Sequence, residues 1–322
     1  MDILPSARNF WRKVDAFYRF TRPHTIIGSI VGVTSVSLLP LVSVGDLSAA
    51  FFIGLLKVMI PIVCANIYVV GLNQVYDVEI DKVNKPNLPI ASGEFSMGMG
   101  KAIVSAFGLM FLQSIIMGIM SQSPPVPLFR WKKNAFLAAM CIVIVRAITV
   151  QLTVFYHIQQ YVLGRPVLLF SRSLAFAIIC MTLFVTVIAL FKDIPDVDGD
   201  RDFGIQTISV ALGKKRFRSL IHVSRPQIIL GLRLRCCCCG GKVFWLCISI
   251  LLIAYGSAVV IGASSSLLLS KLVTVTGHCI LASVLWFRAN TVNLDSNASI
   301  TSFYMFIWKL FYTEYLLIPF VR

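Results

Sequence analysis

Apolar runs, each about as long as a lipid bilayer is thick, alternate along the chain with short polar segments. A spanning helix takes roughly 20 mostly apolar residues. Eight candidate spans follow: about 24–44, 50–74, 98–120, 134–156, 172–191, 243–263, 267–287 and 300–320. All are predicted to be helices, because hydrocarbon supplies no water for the backbone amides and carbonyls and an open chain satisfies them only by coiling. The expected fold class is all-α, a polytopic transmembrane helical bundle. Residues 1–322 are expected to form a single membrane-embedded domain.

Composition agrees. The chain is 57% hydrophobic and 13% charged, about half the charged share of a soluble domain, so its surface is clothed by membrane lipid. Its net charge of +15 would suggest nucleic acid in a soluble protein. Here the basic residues stand mostly between the apolar runs, where the positive-inside bias explains them, and no nucleic-acid partner is expected. Nine cysteines are present. Cys64, Cys141, Cys180, Cys247 and Cys279 lie in apolar runs as small hydrophobes. Cys236 to Cys239 are contiguous, without the spacing that lets thiolates converge on zinc; a juxtamembrane run of this kind can be acylated, a weak signal by itself. No disulfide framework is implied.

Loop charges test the topology. Lysine and arginine number five before the first span, none in 45–49, two in 77–96 (Lys82, Lys85), three in 121–133, one in 157–171 and ten in 192–242. Eight spans would put the ten-charge loop on the opposite side from the N-terminal segment and the 77–96 loop, against the positive-inside pattern. One additional span between residues 120 and 130 would bring every basic loop to one face. The chain reads as though one helix were missing.

Two acidic segments carry the chemistry. At the end of the second span, Asn73, Asp77 and Asp81 are spaced by four and share a helix face. At the end of the fifth, Asp193, Asp196 and Asp200 stand at i, i+3 and i+7, again on one face, with Asp198 pointing elsewhere. Carboxylates at membrane depth are expensive and rarely idle, and two facing clusters repel unless cations lie between them. Oxygen donors without nitrogen or sulfur favour Mg²⁺, which commonly bridges a few carboxylates to substrate phosphate. The pair therefore suggests a Mg²⁺-held diphosphate with its hydrocarbon tail among the helices. The plainer alternative is that each cluster caps a helix at the interface.

These segments resemble the UbiA-type intramembrane prenyltransferases, whose acidic motifs look like N-x-x-x-D-x-x-x-D and D-x-x-D-x-x-x-D. The stretches NQVYDVEIDKVNKPNLPIASGEFS and ALFKDIPDVDGDRDFGIQTISVALGKK are similar to the plant homogentisate and flavonoid branch, as is the tail SFYMFIWKLFYTEYLLIPFVR. The resemblance implies Mg-dependent transfer of a prenyl group from an isoprenyl diphosphate to an aromatic acceptor, a flavonoid or related phenolic, with homogentisate as the alternative. By the same resemblance, Asn73, Asp77, Asp81, Asp193, Asp196 and Asp200 position Mg²⁺ on the diphosphate. Arg146, Lys85 and Lys192 are candidate diphosphate contacts. Arg146 has an intramembrane structural pair as its alternative, and the two lysines have loop solvation. Arg22 with Pro23, at the head of the first span, is equally an interfacial anchor. The stripe Tyr304, Trp308, Tyr312 and Tyr315 would shield a cation or simply pack. His24, His157, His222 and His278 show no metal-site spacing. The implied location is a plastid membrane, although residues 1–22 are short for a transit peptide.

Two features depart from the family pattern. The family has about nine spans and both acidic motifs on one membrane face, whereas three candidate spans separate them here. The resemblance places the absent helix after Ser123-Pro124-Pro125. In addition, Phe217 to Lys242 has no family counterpart, so about 217–242 is an atypical basic, Cys-rich insertion. It reads as translated non-coding sequence or as a basic membrane-surface loop. A catalytically impaired splice or deletion variant is therefore the rival reading. A cation transporter fits less well, since the aspartates sit at span ends beside lysines.

Overall fold

A left-handed backbone at Arg22 (φ 48°, ψ 75°), followed at once by Pro23, separates the first two helices. Proline suits the first turn of a helix, where its missing N–H is not needed. In the computed structural model, the described residues are 5–120, 140, 143–166, 171–192, 194, 239–294 and 296–321. They are helical throughout, with no strand among them: α1 (Pro5–Phe20), α2 (Pro23–Leu38), α3 (Ala49–Tyr76), α4 (Val78–Asn84), α5 (Met97–Met120), α6 (Val150–Tyr156), α7 (Arg172–Lys192), α8 (Cys239–Ala263), α9 (Leu268–Thr291) and α10 (Asn297–Leu317). Two π-helical turns, Ile144–Thr149 and His157–Val162, flank α6. The all-helical expectation holds.

Four helices among the described residues are long and apolar enough to cross a membrane: Ala49–Tyr76, Arg172–Lys192, Gly241–Ala263 and Leu268–Thr291. α2 is apolar but shorter. The predicted span 243–263 begins earlier than expected, because Cys239 to Lys242 already form the first turn of α8. The rest of the 217–242 insertion, the region assigned to the missing helix, Cys236 to Cys238, and Asp193, Asp196 and Asp200 lie outside the described residues.

The chain divides into two compact units. One comprises residues 1–129, 149–177 and 311–319, and the other 130–148, 178–310 and 320–322. In the first, α3 packs against α2, α5 and the turn His157–Val162, while α2 packs against α6. The Ser48 hydroxyl accepts from the Phe51 amide and caps the start of α3, satisfying one of the orphan donors there. α3 has 28 residues, so at 1.5 Å each it runs about 42 Å. That exceeds the roughly 30 Å hydrocarbon core, so a polar end can reach the interface.

Lipid is as apolar as leucine, so helix association depends on close packing and polar contacts more than on hydrophobic burial. Gly71 illustrates the first. A Cβ there would stand 2.7 Å from Phe20 Cζ and 2.9 Å from Val104 Cγ2, so only glycine lets α1 and α5 close on α3. Ala16, Phe20, Ile90, Phe95 and Val104 fill that contact. Thr25, Ser29 and Asn66 illustrate the second. The Thr25 hydroxyl donates to Asn66 Oδ1 at 3.1 Å, and Asn66 Nδ2 donates to Ser29 Oγ at 2.9 Å, tying α2 to α3.

In the second unit, α8 and α9 pack together across a short turn. Phe191, Phe244 and Phe303, each nearly inaccessible, form an aromatic cluster with centroids 5.1–5.6 Å apart. Tyr255 bridges Phe184 and His278.

Candidate functional site

The first acidic motif sits where α3 gives way to α4. Asp77 leaves helical geometry (φ −105°, ψ 20°) and serves both as the last cap of α3 and the first of α4. The hydrogen-bond ladder nevertheless continues through the break. Asp77 N donates to Asn73 O at 2.9 Å, Asp81 N to Asp77 O at 2.8 Å, and Lys85 N to Asp81 O at 2.7 Å. The three residues of the motif are thus stacked turn upon turn, with Lys85 closing the row.

Exposure along that row separates the acidic residues. Asp81 is 6% exposed, Asn73, Asp77 and Lys85 are half-buried, and Glu79 is exposed. Glu79 instead pairs with Lys82 at 2.8 Å, both side chains in the open. A buried charge needs a partner, so burial sets Asp81 apart from Glu79, which lies at the surface.

The motif is held from behind. Gln74, 1% exposed, donates through Nε2 to the carbonyl of Phe20 at 2.7 Å. Arg19, one residue earlier, reaches the segment that follows α4. It donates to Asn87 O at 2.7 Å and Glu94 Oε2 at 2.6 Å, and also to Asp15 at 2.8 Å. These bonds hold the Glu94 carboxyl below the ordinary carboxylate range, chiefly through the hydrogen bond from Arg19. Gly93, with φ +79°, makes the turn that presents Glu94. Neither Gln74 nor Arg19 was selected from the sequence as part of the site. Gln74 is a second polar residue within the motif itself, on the opposite face from Tyr76, and that placement was the available signal.

The other predicted residues divide. Arg146 lies in the π turn Ile144–Thr149 with its guanidinium 5.8 Å from the centroid of the Trp308 ring, a cation–π arrangement. Lys192 ends α7 and is exposed. Of the aromatic stripe, Tyr304 meets Trp308 edge-on, Tyr312 donates to His24 O at 2.7 Å, and the Tyr315 hydroxyl accepts from Gln151 Nε2 at 2.6 Å. Tyr315 also lies against Gly32. Each of the four has a structural partner. Glu314, fully buried on α10, was passed over in the sequence, although a lone carboxylate in an apolar run is a functional signal by default.

No group of three or more His, Cys, Asp or Glu able to hold a metal occurs among the described residues. The first motif contributes two carboxylates and the Asn73 amide. This all-oxygen set fits a hard divalent ion such as Mg²⁺ that completes its shell with water and phosphate oxygens, rather than a closed protein cage.

A family model for the UbiA prenyltransferases matches residues 31–310. The homogentisate geranylgeranyltransferase of Triticum aestivum is 51% identical, covering 97% of this chain and 73% of the wheat protein. The chloroplastic homogentisate phytyltransferase 1 of Arabidopsis thaliana is 46% identical over 98% of this chain and 77% of its own. The chloroplastic naringenin 8-dimethylallyltransferase 2 of Sophora flavescens is 42% identical over 99% and 77%. The wheat alignment runs to 329 positions, whereas 97% of 322 residues is about 312. About 17 aligned positions of the wheat protein therefore lack a counterpart here (329 less 312). Among solved structures, one reported for digeranylgeranylglyceryl phosphate synthase matches in fold with a TM-score of 0.51 at 14% identity, covering 96% of this chain and 98% of that one.

Proposed function

The chain belongs to the UbiA prenyltransferase family, and on that premise we propose that it transfers a prenyl group from an isoprenyl diphosphate to an aromatic acceptor in a plastid membrane. The observation that carries the reading is the stacked pair Asp77 and Asp81, with Asp81 buried at the end of a membrane-length helix. In this reading Asn73, Asp77, Asp81, Asp193, Asp196 and Asp200 would be the residues that hold Mg²⁺. Lys85, Lys192 and Arg146 are the cationic candidates for diphosphate. When bound, Mg²⁺ neutralises the charge that develops on the departing diphosphate.

The chain's own residues perform the rest. The carboxylates would position the donor's head through the metal, and the cationic candidates directly, so that its allylic C–O bond breaks in one place. The apolar helices accept the isoprenoid tail and keep water from the allylic cation. The electron-rich ring attacks ortho to a hydroxyl, forming a C–C bond, and loses its ring proton to restore aromaticity. Arg19 and Gln74 set the position of the motif and of the segment behind it without reaching the donor.

Homogentisate is the acceptor we favour, ahead of a flavonoid. The support is the wheat homogentisate enzyme at 51% identity, against 46% for the coumarin 8-geranyltransferase 1 of Citrus limon and 42% for the naringenin enzyme. The rival, an impaired deletion variant, is supported by the span that the sequence pattern lacks after Ser123-Pro124-Pro125. An assay in microsomes separates them. Homogentisate and naringenin are each offered with dimethylallyl, geranylgeranyl and phytyl diphosphate, with the wheat enzyme alongside. Prenylated homogentisate supports the main reading. Product from the wheat enzyme alone supports the impaired variant.

A further inference from the structure

Helix α1 stands apart from the spans. Its protein-facing side is narrow: Ala16 and Phe20 are buried at 2% and 0% and Phe17 stacks on Phe107 of α5 with centroids 6.3 Å apart, while Phe10, Trp11, Val14 and Tyr18 are 60%, 62%, 41% and 58% exposed and Phe17 keeps 37% of its surface open. At 3.6 residues per turn those five side chains fall within a single arc of about 120°. Lys13 borders that arc on one side and Asp15, followed by Arg19 and Arg12, on the other. Arg12 and Lys13 are both exposed. Only Thr21 and Arg22 separate this helix from Pro23, the first residue of apolar α2, so α1 lies at the membrane boundary.

We propose that α1 is an in-plane helix that docks on an anionic lipid surface. Its arc of Phe10, Trp11, Val14, Phe17 and Tyr18 enters the boundary between headgroups and acyl chains, and Arg12 and Lys13 contact anionic headgroups. An amphipathic helix with aromatic residues on one face and basic residues beside it binds lipid through apolar burial and electrostatic attraction together. Tryptophan and tyrosine favour that depth, where an apolar ring body and a polar tip are both satisfied. Charge complementarity decides for lipid over a second copy of the chain, since two such helices would bring their basic residues together. The docked helix also carries the Arg19 contacts to Asn87 and Glu94, so the segment after the first acidic motif is referenced to the membrane surface through one side chain.

The test uses the full chain in nanodiscs and does not depend on activity. Phospholipids brominated either near the headgroup or near the acyl terminus are compared, and the Trp11 signal is taken as the difference between the native chain and Trp11→Phe. The expected result is quenching of Trp11 that is severalfold stronger with the shallow bromines and that deepens with the fraction of anionic lipid. In Arg12→Gln/Lys13→Gln the dependence on anionic lipid is lost while shallow quenching remains in fully anionic discs. Absence of Trp11 quenching, whether or not a dimer is detected, overturns the proposal. Quenching indifferent to lipid charge in the native chain overturns the assignment to anionic headgroups.

Discussion

The amide of Asp81 donates to the carbonyl of Asp77 at 2.8 Å, so the two carboxylate-bearing residues remain one turn apart although α3 ends between Tyr76 and Asp77. The break at Asp77 leaves the i→i−4 register intact. On the proposed reading, a change at either position would remove a metal ligand while leaving the backbone ladder in place. Asp81→Asn is expected to retain fold and membrane insertion and to lose about 10²-fold or more in transfer rate, the scale of removing one charge-stabilising group. Glu79→Gln, on the exposed side beside Lys82, is expected to stay within about twofold of the native chain. Rates measured side by side in the same microsomes check both.

A second expectation concerns the tie between Gln151 and Tyr315, 2.6 Å apart and buried at 1% and 3%. Tyr315→Phe leaves the Gln151 amide short of an acceptor inside the bundle. The cost is about 1–3 kcal/mol, read as a lowered melting temperature in detergent. Gln151→Leu/Tyr315→Phe should recover part of that loss, because two apolar partners no longer strand a donor.

Packing at Gly54 makes a third. A Cβ there meets Val162 Cγ2 inside van der Waals contact, whereas nothing lies within 4 Å of a Cβ at Gly256. Gly54→Ala is expected to destabilise by about 1–3 kcal/mol through overpacking. Gly256→Ala, at an exposed position of α8, should be neutral or slightly stabilising. Thermal unfolding of the two variants in one detergent distinguishes them.

The fourth is a dependence on pH. Asp46 accepts from the amide of Val42, from Arg165 and from the amide of Ser43, and its carboxyl is lowered to about 2 from an ordinary 3.8. A lowered folded-state value means that this tie stabilises the fold fully above about pH 4 and that the benefit is lost as pH falls through about 2. Asp46→Asn should therefore be less stable than the native chain at pH 5, with the gap closing as the pH approaches 2. Melting curves across that range measure it.

Much of this architecture was legible in the chain itself. The apolar runs located α3, α5, α7, α8, α9 and α10 to within a few residues, because a bilayer imposes both length and composition on a helix. The N–x–x–x–D–x–x–x–D spacing placed Asn73, Asp77 and Asp81 on one row. The supports were harder to see. Arg19 meets Glu94 across 75 residues of sequence, and no local pattern encodes that distance. Gln74 is visible beside the motif, but its role rests on Phe20 lying against Gly71. Trp308 beneath Arg146 likewise depends on how distant helices pack, so a cation in a span could be noticed from sequence but its partner could not.

The most direct test of prenyl transfer at this motif is a Mg²⁺ titration of the full chain in microsomes with geranylgeranyl diphosphate and homogentisate, run for the native sequence and for Asp77→Ala. Prenylated homogentisate is expected to appear only with Mg²⁺, to saturate with it, and to fall about 10²-fold or more in the variant at equal protein and intact insertion. Product that persists at native level in Asp77→Ala, or that forms equally in chelator, would contradict prenyl transfer at this motif.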